Sequence, residues 1–442
     1  MKALIIGTGK SGKSAAKFLK KRGYSVYLVS DEQKGAEKVY SNEKFLKTLS
    51  LIVVSPGINS FHVIYGVAKK YGISLISEFE LGVGALQGKT VMITGTNGKT
   101  TSSALTAHIL GEKKATIGGN IGIPVTSYAD KTTSNMVNVL EVSSFMLEQG
   151  KHIHPNISVL LNIAPDHISY HGSYKKYKQA KLKIFVHQTK NDFAIINFDD
   201  KETMDALKTK KLKANVFYFS LKNKVKGCYV ENDSIYFNDG NSSIKVAEIS
   251  DIKIPGLHNL ENALACALIC LLLGENVETI KRGLQTFNGL SHRLEWVTDI
   301  AGVSFVNDSK ATNPASTIVA MQSISGNLTV ILGGSKKGLS YDDIFLHAPE
   351  NVKNFICMGE NKKEILAAAR KYLVKNVYEV NTLKEAVDLG FNLSCNLGVV
   401  LLSPASASFD MFSSYEERGR VFMKLVREKA RREDKKCRGK NI

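Results

Sequence analysis

The run Thr90-Val91-Met92-Ile93, continuing as Thr94-Gly95-Thr96-Asn97-Gly98-Lys99-Thr100-Thr101-Ser102, constrains the fold of this 442-residue chain more than any other feature. An apolar strand pattern ends on a glycine-containing loop that passes into a helical pattern. A phosphate-binding loop needs glycines to turn backbone N–H groups inward, a lysine to reach the terminal phosphates, and a hydroxyl for Mg2+. Gly98, Lys99 and Thr100 supply the last part, with Thr101 following. The strict pattern has a glycine where Ile93 stands; here Gly95 takes that part, so the loop is a variant. The loop is read as binding ATP, and strand–loop–helix units of this kind build parallel sheets covered by helices on both faces.

The same alternation recurs along the chain. Strand patterns fall at 2–6, 25–29 and 51–54, with a helix expected over 13–22 and stopped at Gly23. Between the first strand and that helix lies Gly7-x-Gly9-x-x-Gly12, a turn that brings backbone N–H groups to a pyrophosphate at a helix N-terminus. Asp31 closes the second strand, where a ribose-binding carboxylate would lie. Taken alone this fingerprint indicates NAD, although Lys10 and Ser11 in the loop suit the diphosphate of another nucleotide equally well. Gln87-Gly88-Lys89 reads as a boundary. A second unit has strands at 90–93, 137–141, 157–163 and 193–197, short antiparallel strands over 215–239, and an apolar helix over 259–273. A third starts near Gly289-Leu290, with strands at 303–306, 328–332, 354–358 and 399–402. The expected architecture is α/β in three domains: a Rossmann-like domain over 1–87, a P-loop ATPase-like domain over 88–289 and a Rossmann-like domain over 290–442.

Net charge is +18, which suits anionic partners. Between 424 and 440 nine Lys or Arg stand against Glu428, Glu433 and Asp434, and no aromatic follows Phe422 to stack on bases. That segment reads as a solvated helix end and tail, not a nucleic-acid arm. The longest apolar run, 263–273, is eleven residues, short of the ~20 that span a bilayer, so no membrane partner is expected. Gly7 interrupts the apolar start at once, leaving no signal-peptide core. Six scattered cysteines without a C-x-x-C pair point to a reducing, cytoplasmic compartment.

Several polar groups close apolar strands, where α/β folds place ligands. Glu141 ends one of them, and a buried acid beside a P-loop is a candidate Mg2+ ligand. Residues 162–173 are polar and rich in histidine. His167 and His171 have helical spacing, but Pro165 and Gly172 argue for a loop rather than a zinc pair. Tyr174, Tyr177, Ala180 and Ile184 mark one face of a helix that carries Lys175, Lys176, Lys178, Lys181 and Lys183. Periodicity makes these lysines a solvated basic face and singles out none. In the third unit, 307–314, 333–337 and 403–408 are three polar loops on neighbouring strands, which together suggest a site.

In this order, Thr94–Thr101, Glu141-Val142-Ser143-Ser144-Phe145, Asp166-His167, His258-Asn259-x-x-Asn262-Ala263 and His292-Arg293 resemble the Mur ligases. These are the ATP-dependent amino-acid ligases of peptidoglycan precursor synthesis, a cell-wall pathway. Asn307-Asp308-Ser309-Lys310-Ala311-Thr312-Asn313, the 403–410 segment, Phe412 and Arg418-Gly419 are similar to the D-glutamate-adding branch. The resemblance runs from about residue 2 to 426 and leaves out the basic tail. It implies a monomeric cytoplasmic ligase using ATP, two Mg2+ ions, UDP-N-acetylmuramoyl-L-alanine and D-glutamate. By matching motif, Gly95, Thr96, Asn97, Gly98, Lys99, Thr100 and Thr101 would hold the phosphates, and Asn120, Asn259, Asn262, Arg293 and Asp308 would line the adenine and ribose side. Thr100, Glu141, His167 and a carbamylated Lys181 would serve the metals, with Lys99, His167 and Lys181 catalytic. Gly9, Lys10, Ser11, Asp31, Ser55 and Gly57 would hold the uridine diphosphate, and Lys310, Thr312, Lys337, Ser408 and Phe409 the D-glutamate. Ser169 stands where family members commonly carry an acid, and Lys336 adjoins Lys337. Outside this branch the alternatives are another Mur-type ligase, an NAD-dependent dehydrogenase and a P-loop nucleic-acid translocase.

Overall fold

Aliphatic runs of four to seven residues form most of the strands, and residues on both faces are buried, as a sheet covered on two sides requires. The computed structural model describes the chain apart from residues 31–35, 60, 255, 337, 339, 395–397 and 440–442, and apart from the side chains of 169 and 434–439. Three sheets result. The first joins β1 (Lys2–Ile6), β2 (Ser25–Val29), β3 (Leu51–Val54) and β4 (Ser74–Ser77) in the order β2-β1-β3-β4, all parallel.

The second sheet contains β5 (Lys89–Thr94), β6 (Ala115–Gly119), β7 (Val137–Glu141), β8 (Ile157–Leu160), β9 (Phe193–Asn197), β10 (Asn215–Ser220), β11 (Gly227–Glu231), β12 (Ser234–Asn238) and β13 (Ser243–Glu248). Their order is β13-β12-β11-β10-β9-β8-β5-β7-β6. The antiparallel expectation for 215–239 needs correction. β10 pairs parallel with both β9 and β11, and only β11–β12 and β12–β13 run antiparallel. The third sheet, β14 (Glu295–Ile300), β15 (Val303–Asn307), β16 (Leu328–Gly333), β17 (Val352–Met358), β18 (Val377–Glu379) and β19 (Val399–Leu402), has the order β14-β15-β19-β16-β17-β18. Its one antiparallel pair is β14–β15. By contact, Met1–Lys253 with His258–Phe287 form one compact unit holding the first two sheets, and Ile254–Leu257 with Asn288–Ile442 form a second unit holding the third.

In the first unit the apolar helix Leu257–Leu272 is buried from Ala263 through Cys270. Among the described residues no helix is long and apolar enough to cross a membrane. In the sheet β5 lies between β7 and β8, and the connection from β5 to β6 runs to one side while that from β7 to β8 runs to the other. That is where a crevice opens at the carboxyl ends of parallel strands.

The first helix starts earlier than its sequence pattern suggests, at Lys10 rather than 13, with Gly9 as N-cap. Lys10 and Ser11 therefore lie in the first helical turn, where backbone N–H groups have no intrahelical partner. The glycines differ in what they do. A Cβ on Gly12 would stand 1.7 Å from the Gly7 carbonyl oxygen, whereas one on Gly9 would meet nothing within 4 Å. The fold itself demands Gly12, while Gly9 leaves open space in front of the helix. Gly12→Ala is expected to destabilise the chain by about 2 kcal/mol or more through overpacking. Gly9→Ala should leave the thermal unfolding midpoint unchanged; circular dichroism melts of the two variants check both.

Candidate active site

The P-loop Thr94–Lys99 is held by the segment that follows the neighbouring strand and by one helix side chain. β5 pairs with β8 through Thr94 and Leu160, and the chain beyond β8 reaches back over the loop. Thr96 N–H donates to the Asn162 carbonyl (3.0 Å) and Asn97 N–H to Asn162 Oδ1 (2.9 Å). Thr96 Oγ1 accepts from Ala164 N–H (2.9 Å) and meets the Tyr177 hydroxyl at 2.8 Å. Gly98 adopts φ 82°, and a Cβ there would come within 2.4 Å of Asn262 Oδ1, so glycine is required twice over. Asn262 Oδ1 also accepts from Ser102 Oγ (3.1 Å), and its Nδ2 donates to Asn259 Oδ1 (3.3 Å). Asn259 and Asn262 thus share the P-loop's neighbourhood. Thr100 and Thr101 are buried in the first turn of the helix Lys99–Leu110.

Two lysines converge on this loop. Lys99 is half-buried rather than open to solvent, and its Nζ donates to the carbonyls of Gly95 (2.8 Å) and Thr96 (2.7 Å). Lys181 Nζ donates to the same Gly95 carbonyl at 2.7 Å and stands over the Tyr177 ring at 4.8 Å. Lys181 is only 2% exposed. Burial pushes its amine well below the usual lysine range, and the charge of Lys99 adds to the shift. The uniform basic face expected from periodicity is thereby corrected: on the helix Tyr174–Leu182 the lysine at 181 is the buried one.

Glu141 ends β7 opposite Ile93 of β5 and is 2% exposed. Its Oε1 accepts from Asn120 Nδ2 (2.7 Å), while its Oε2 is buried with no hydrogen-bond partner among the described residues. A buried carboxylate oxygen left so is costly unless a cation completes it. Among the described residues no three His, Cys, Asp or Glu side chains gather into a cage. A hard cation here would share few protein oxygens with phosphate oxygens, the habit of Mg2+. Residues 162–173 are not all loop: Ile168–His171 forms one helical turn, entered through His167 at φ 50°. The His167 ring is half-exposed, 3.3 Å from Asp166 through Nε2 and 4.8 Å from the Phe145 centroid.

At the first sheet, Gly9 and Lys10 are exposed at the helix start beside Ser11, and Gly57 is exposed in the loop after β3. Ser55 Oγ in that loop is buried, has no hydrogen-bond partner among the described residues and lies against Gly7. Asp31 and Lys337 lie outside the described residues.

In the second unit the three polar loops follow β15, β16 and β19, adjacent in the sheet. Arg418, 1% exposed, ties them together. Its Nε donates to Ser309 Oγ (3.0 Å) and its Nη2 to the carbonyls of Ser309 (2.8 Å) and Ser406 (3.0 Å). Its Nη1 donates to the carbonyls of Ala407 (3.3 Å) and, at the end of β16, Gly333 (3.5 Å). Desolvation pulls this guanidinium down to about 10. Asp308 accepts from Ser403 Oγ (2.8 Å) and from Leu294 N–H (3.3 Å), and burial pushes its carboxyl up to about 7. His292 and Leu294, on either side of half-buried Arg293, have φ 64° and 45°. Such strain clusters at working sites. Lys310 N–H donates to the His292 carbonyl (3.0 Å), and Lys310 and Thr312 are half-buried. Ser408 is buried and Phe409 is 70% exposed.

Residues 93–270 match a family model described as the Mur ligase middle domain, and residues 292–406 one described as the Mur ligase glutamate ligase domain. A UDP-N-acetylmuramoylalanine–D-glutamate ligase of Koribacter versatilis is 38% identical, covering 98% of this chain and 99% of its own. One of Caldicellulosiruptor bescii is 37% identical, over 96% of this chain and 97% of its own. The chain belongs to the Mur ligase family. Its fold is also that of a solved UDP-N-acetylmuramate–alanine ligase of Thermotoga maritima, at TM-score 0.61 and 19% identity over 97% of this chain and 100% of that one. Membership sets aside the dehydrogenase and translocase readings, each of which rested on one loop or on charge alone.

Within the Mur ligase framework, the residues missing from the sequence reading are those that hold others. Asn162 was visible only as a polar residue at a strand end, Tyr177 only as a core position, and Arg418 only as part of a matching motif. None of these carries a spacing signal for its contacts. The Asp308 carboxyl has a clear consequence for pH. Its folded pKa lies above the ordinary aspartate value, so the folded state retains a proton that the unfolded chain gives up. Stability from this group is full below about pH 4 and is lost as pH rises through about 7. Urea titrations should show the chain losing a few kcal/mol between pH 5 and pH 8, and Asp308→Asn should flatten that decline.

Proposed function

We propose that this chain couples ATP cleavage to the joining of D-glutamate and UDP-N-acetylmuramoyl-L-alanine. The observation that carries the reading is the meeting of Lys99, Lys181 and the unpaired Glu141 oxygen around one P-loop, in a chain that aligns end to end with D-glutamate ligases. In the reaction, a carboxylate oxygen of the alanyl group attacks the γ-phosphorus of ATP, the bond to the β-phosphate oxygen breaks, and ADP leaves. The D-glutamate amine then attacks the acyl carbon, loses a proton, and phosphate departs from the tetrahedral intermediate to leave an amide.

Residues 1–87 are read as the uridine-substrate region, 88–289 as the ATP region and 290–442 as the D-glutamate region, in a monomeric cytoplasmic enzyme without a membrane or nucleic-acid partner. Gly9, Lys10, Ser11, Ser55 and Gly57 are assigned to the uridine diphosphate, since N–H groups at the start of the first helix suit a diphosphate. Backbone N–H groups of 95–100 and the Lys99 ammonium would oppose the ATP phosphates, positioning the γ-group for in-line attack. Asn120, Asn259, Asn262, Arg293 and Asp308 are assigned to the nucleoside side. Lys310, Thr312, Lys337, Ser408 and Phe409 are assigned to D-glutamate, whose two carboxylates call for cations and donors. Thr100, Glu141, His167 and Lys181 would hold Mg2+, which when bound supplies positive charge to the phosphate oxygens.

Lys181 fits this role only as something other than an ammonium. Two cations on one carbonyl repel each other, and burial already favours the neutral amine. A neutral Nζ can attack CO2, forming an N–C bond and releasing a proton, which leaves an anionic carbamate oxygen for the cation.

Phosphate release should require UDP-N-acetylmuramoyl-L-alanine, ATP and D-glutamate together. Release independent of D-glutamate, or driven by another amino acid, would overturn the proposal. Lys99→Ala is expected to lower kcat by about 10³-fold or more, with a native circular dichroism spectrum. Lys181→Ala should lose turnover and regain part of it with added acetate; full activity without any additive would refute the carbamate.

A further inference from the structure

A polar chain beside the candidate cation site takes no part in the chemistry above. His171, 2% exposed, places Nε2 3.0 Å from Ser144 Oγ. On its other side Nδ1 stands 3.1 Å from Glu148 Oε2, a contact of charge with N–H rather than an aligned hydrogen bond. A carboxylate there favours the proton on Nδ1, which leaves Nε2 to accept from the Ser144 hydroxyl. Burial lowers the pKa of this imidazole and so favours the neutral ring. The ring also stacks on Phe145, centroids 5.5 Å apart and planes 18° apart. Phe145 in turn meets Tyr170 at 4.1 Å and His167 at 4.8 Å.

This arrangement explains how His167 keeps its backbone conformation. A left-handed φ at a residue with a Cβ costs on the order of 1–3 kcal/mol and persists only where the surroundings impose it. The turn that follows, Ile168–His171, is a single turn and has no stability of its own. Tyr170 and His171 N–H groups both return to the His167 carbonyl, at 3.1 and 3.2 Å, so whatever fixes the far end of the turn fixes the near end too. Ser144 and Glu148 both lie on the helix Ser144–Gln149, which begins just after Glu141 closes β7.

We propose that His171 is a positioning residue: held between Ser144 and Glu148, it fastens the turn that carries His167 to the end of β7 and so sets His167 relative to Glu141. The inference rests on the reading of Glu141 and His167 as cation ligands, and the geometry assigns His171 no contact with substrate. Its side chain acts through the chain segment on which His167 sits. The hydroxyl of Ser144 and the carboxylate of Glu148 act through His171.

The test compares His171→Phe, which retains the stack on Phe145 but loses both nitrogen contacts, with Ser144→Ala, which removes only the hydroxyl, and with His171→Gln. Mn2+ binding to the full chain with ATP, followed by electron paramagnetic resonance, is the primary readout. His171→Phe should weaken binding about tenfold and raise the half-saturating Mg2+ for phosphate release by a similar factor. KM for D-glutamate at saturating Mg2+ should stay near the unmodified value. His171→Gln should recover part of the loss, and Ser144→Ala should shift binding in the same direction even if His171→Phe fails to fold. Unaltered Mn2+ binding in Ser144→Ala and His171→Phe, with normal turnover in the unmodified chain, would overturn this inference alone. Absence of any Mn2+ binding and of D-glutamate-dependent release in the unmodified chain would overturn the parent reading and this one with it.

Discussion

The pairing of β5 between β7 and β8 is the constraint on which the rest of the site depends. It sets Ile93 opposite Glu141 on one side and Thr94 opposite Leu160 on the other. The P-loop therefore leaves its strand with an acid at one flank and the Asn162 segment at the other. Backbone ladder bonds hold this register, and a slip of one residue would turn Glu141 to the opposite face. Once the register holds, Asn162 and Tyr177 need only short side chains or a single hydroxyl to hold the loop in shape.

The electrostatics follow from burial rather than from net charge. The chain carries an excess of +18, yet the two lysines that matter differ from the others by their surroundings. Lys181 has lost its water and faces Lys99 across a single carbonyl, so its ammonium form is disfavoured twice. Glu141 meets the complementary difficulty, with one oxygen satisfied by Asn120 and the other by nothing among the described residues. An excess and a deficit of positive charge stand beside the same loop, a pairing suited to a guest that brings both phosphate and metal.

Much of the fold was legible because strands buried on both faces are written as unbroken aliphatic runs. The three sheets, the strand ends at Glu141, Asn307 and Leu402, and the P-loop all follow from that pattern. Pairing direction was less legible: β10 and β11 are short and close in sequence, which suggests a hairpin, yet they lie parallel. The turn at 168–171 was obscured because its stability comes from Phe145, Ser144 and Glu148, all distant in sequence. The same holds for Lys181 and Arg418. Each sits in a helix of many basic residues, and only tertiary packing decides which of them is taken out of water.

Arg418 has a consequence for how the third sheet's loops can vary. Its planar fork donates to Ser309 Oγ and to the carbonyls of Ser309, Ser406 and Ala407, and among the described residues no carboxylate forms an ion pair with it. Loops that follow β15 and β19 are therefore riveted through one rigid plane, and a displacement of one is transmitted to the other. Drift in either loop during evolution is then answerable to a single arginine, and the two loops can be remodelled only as a block.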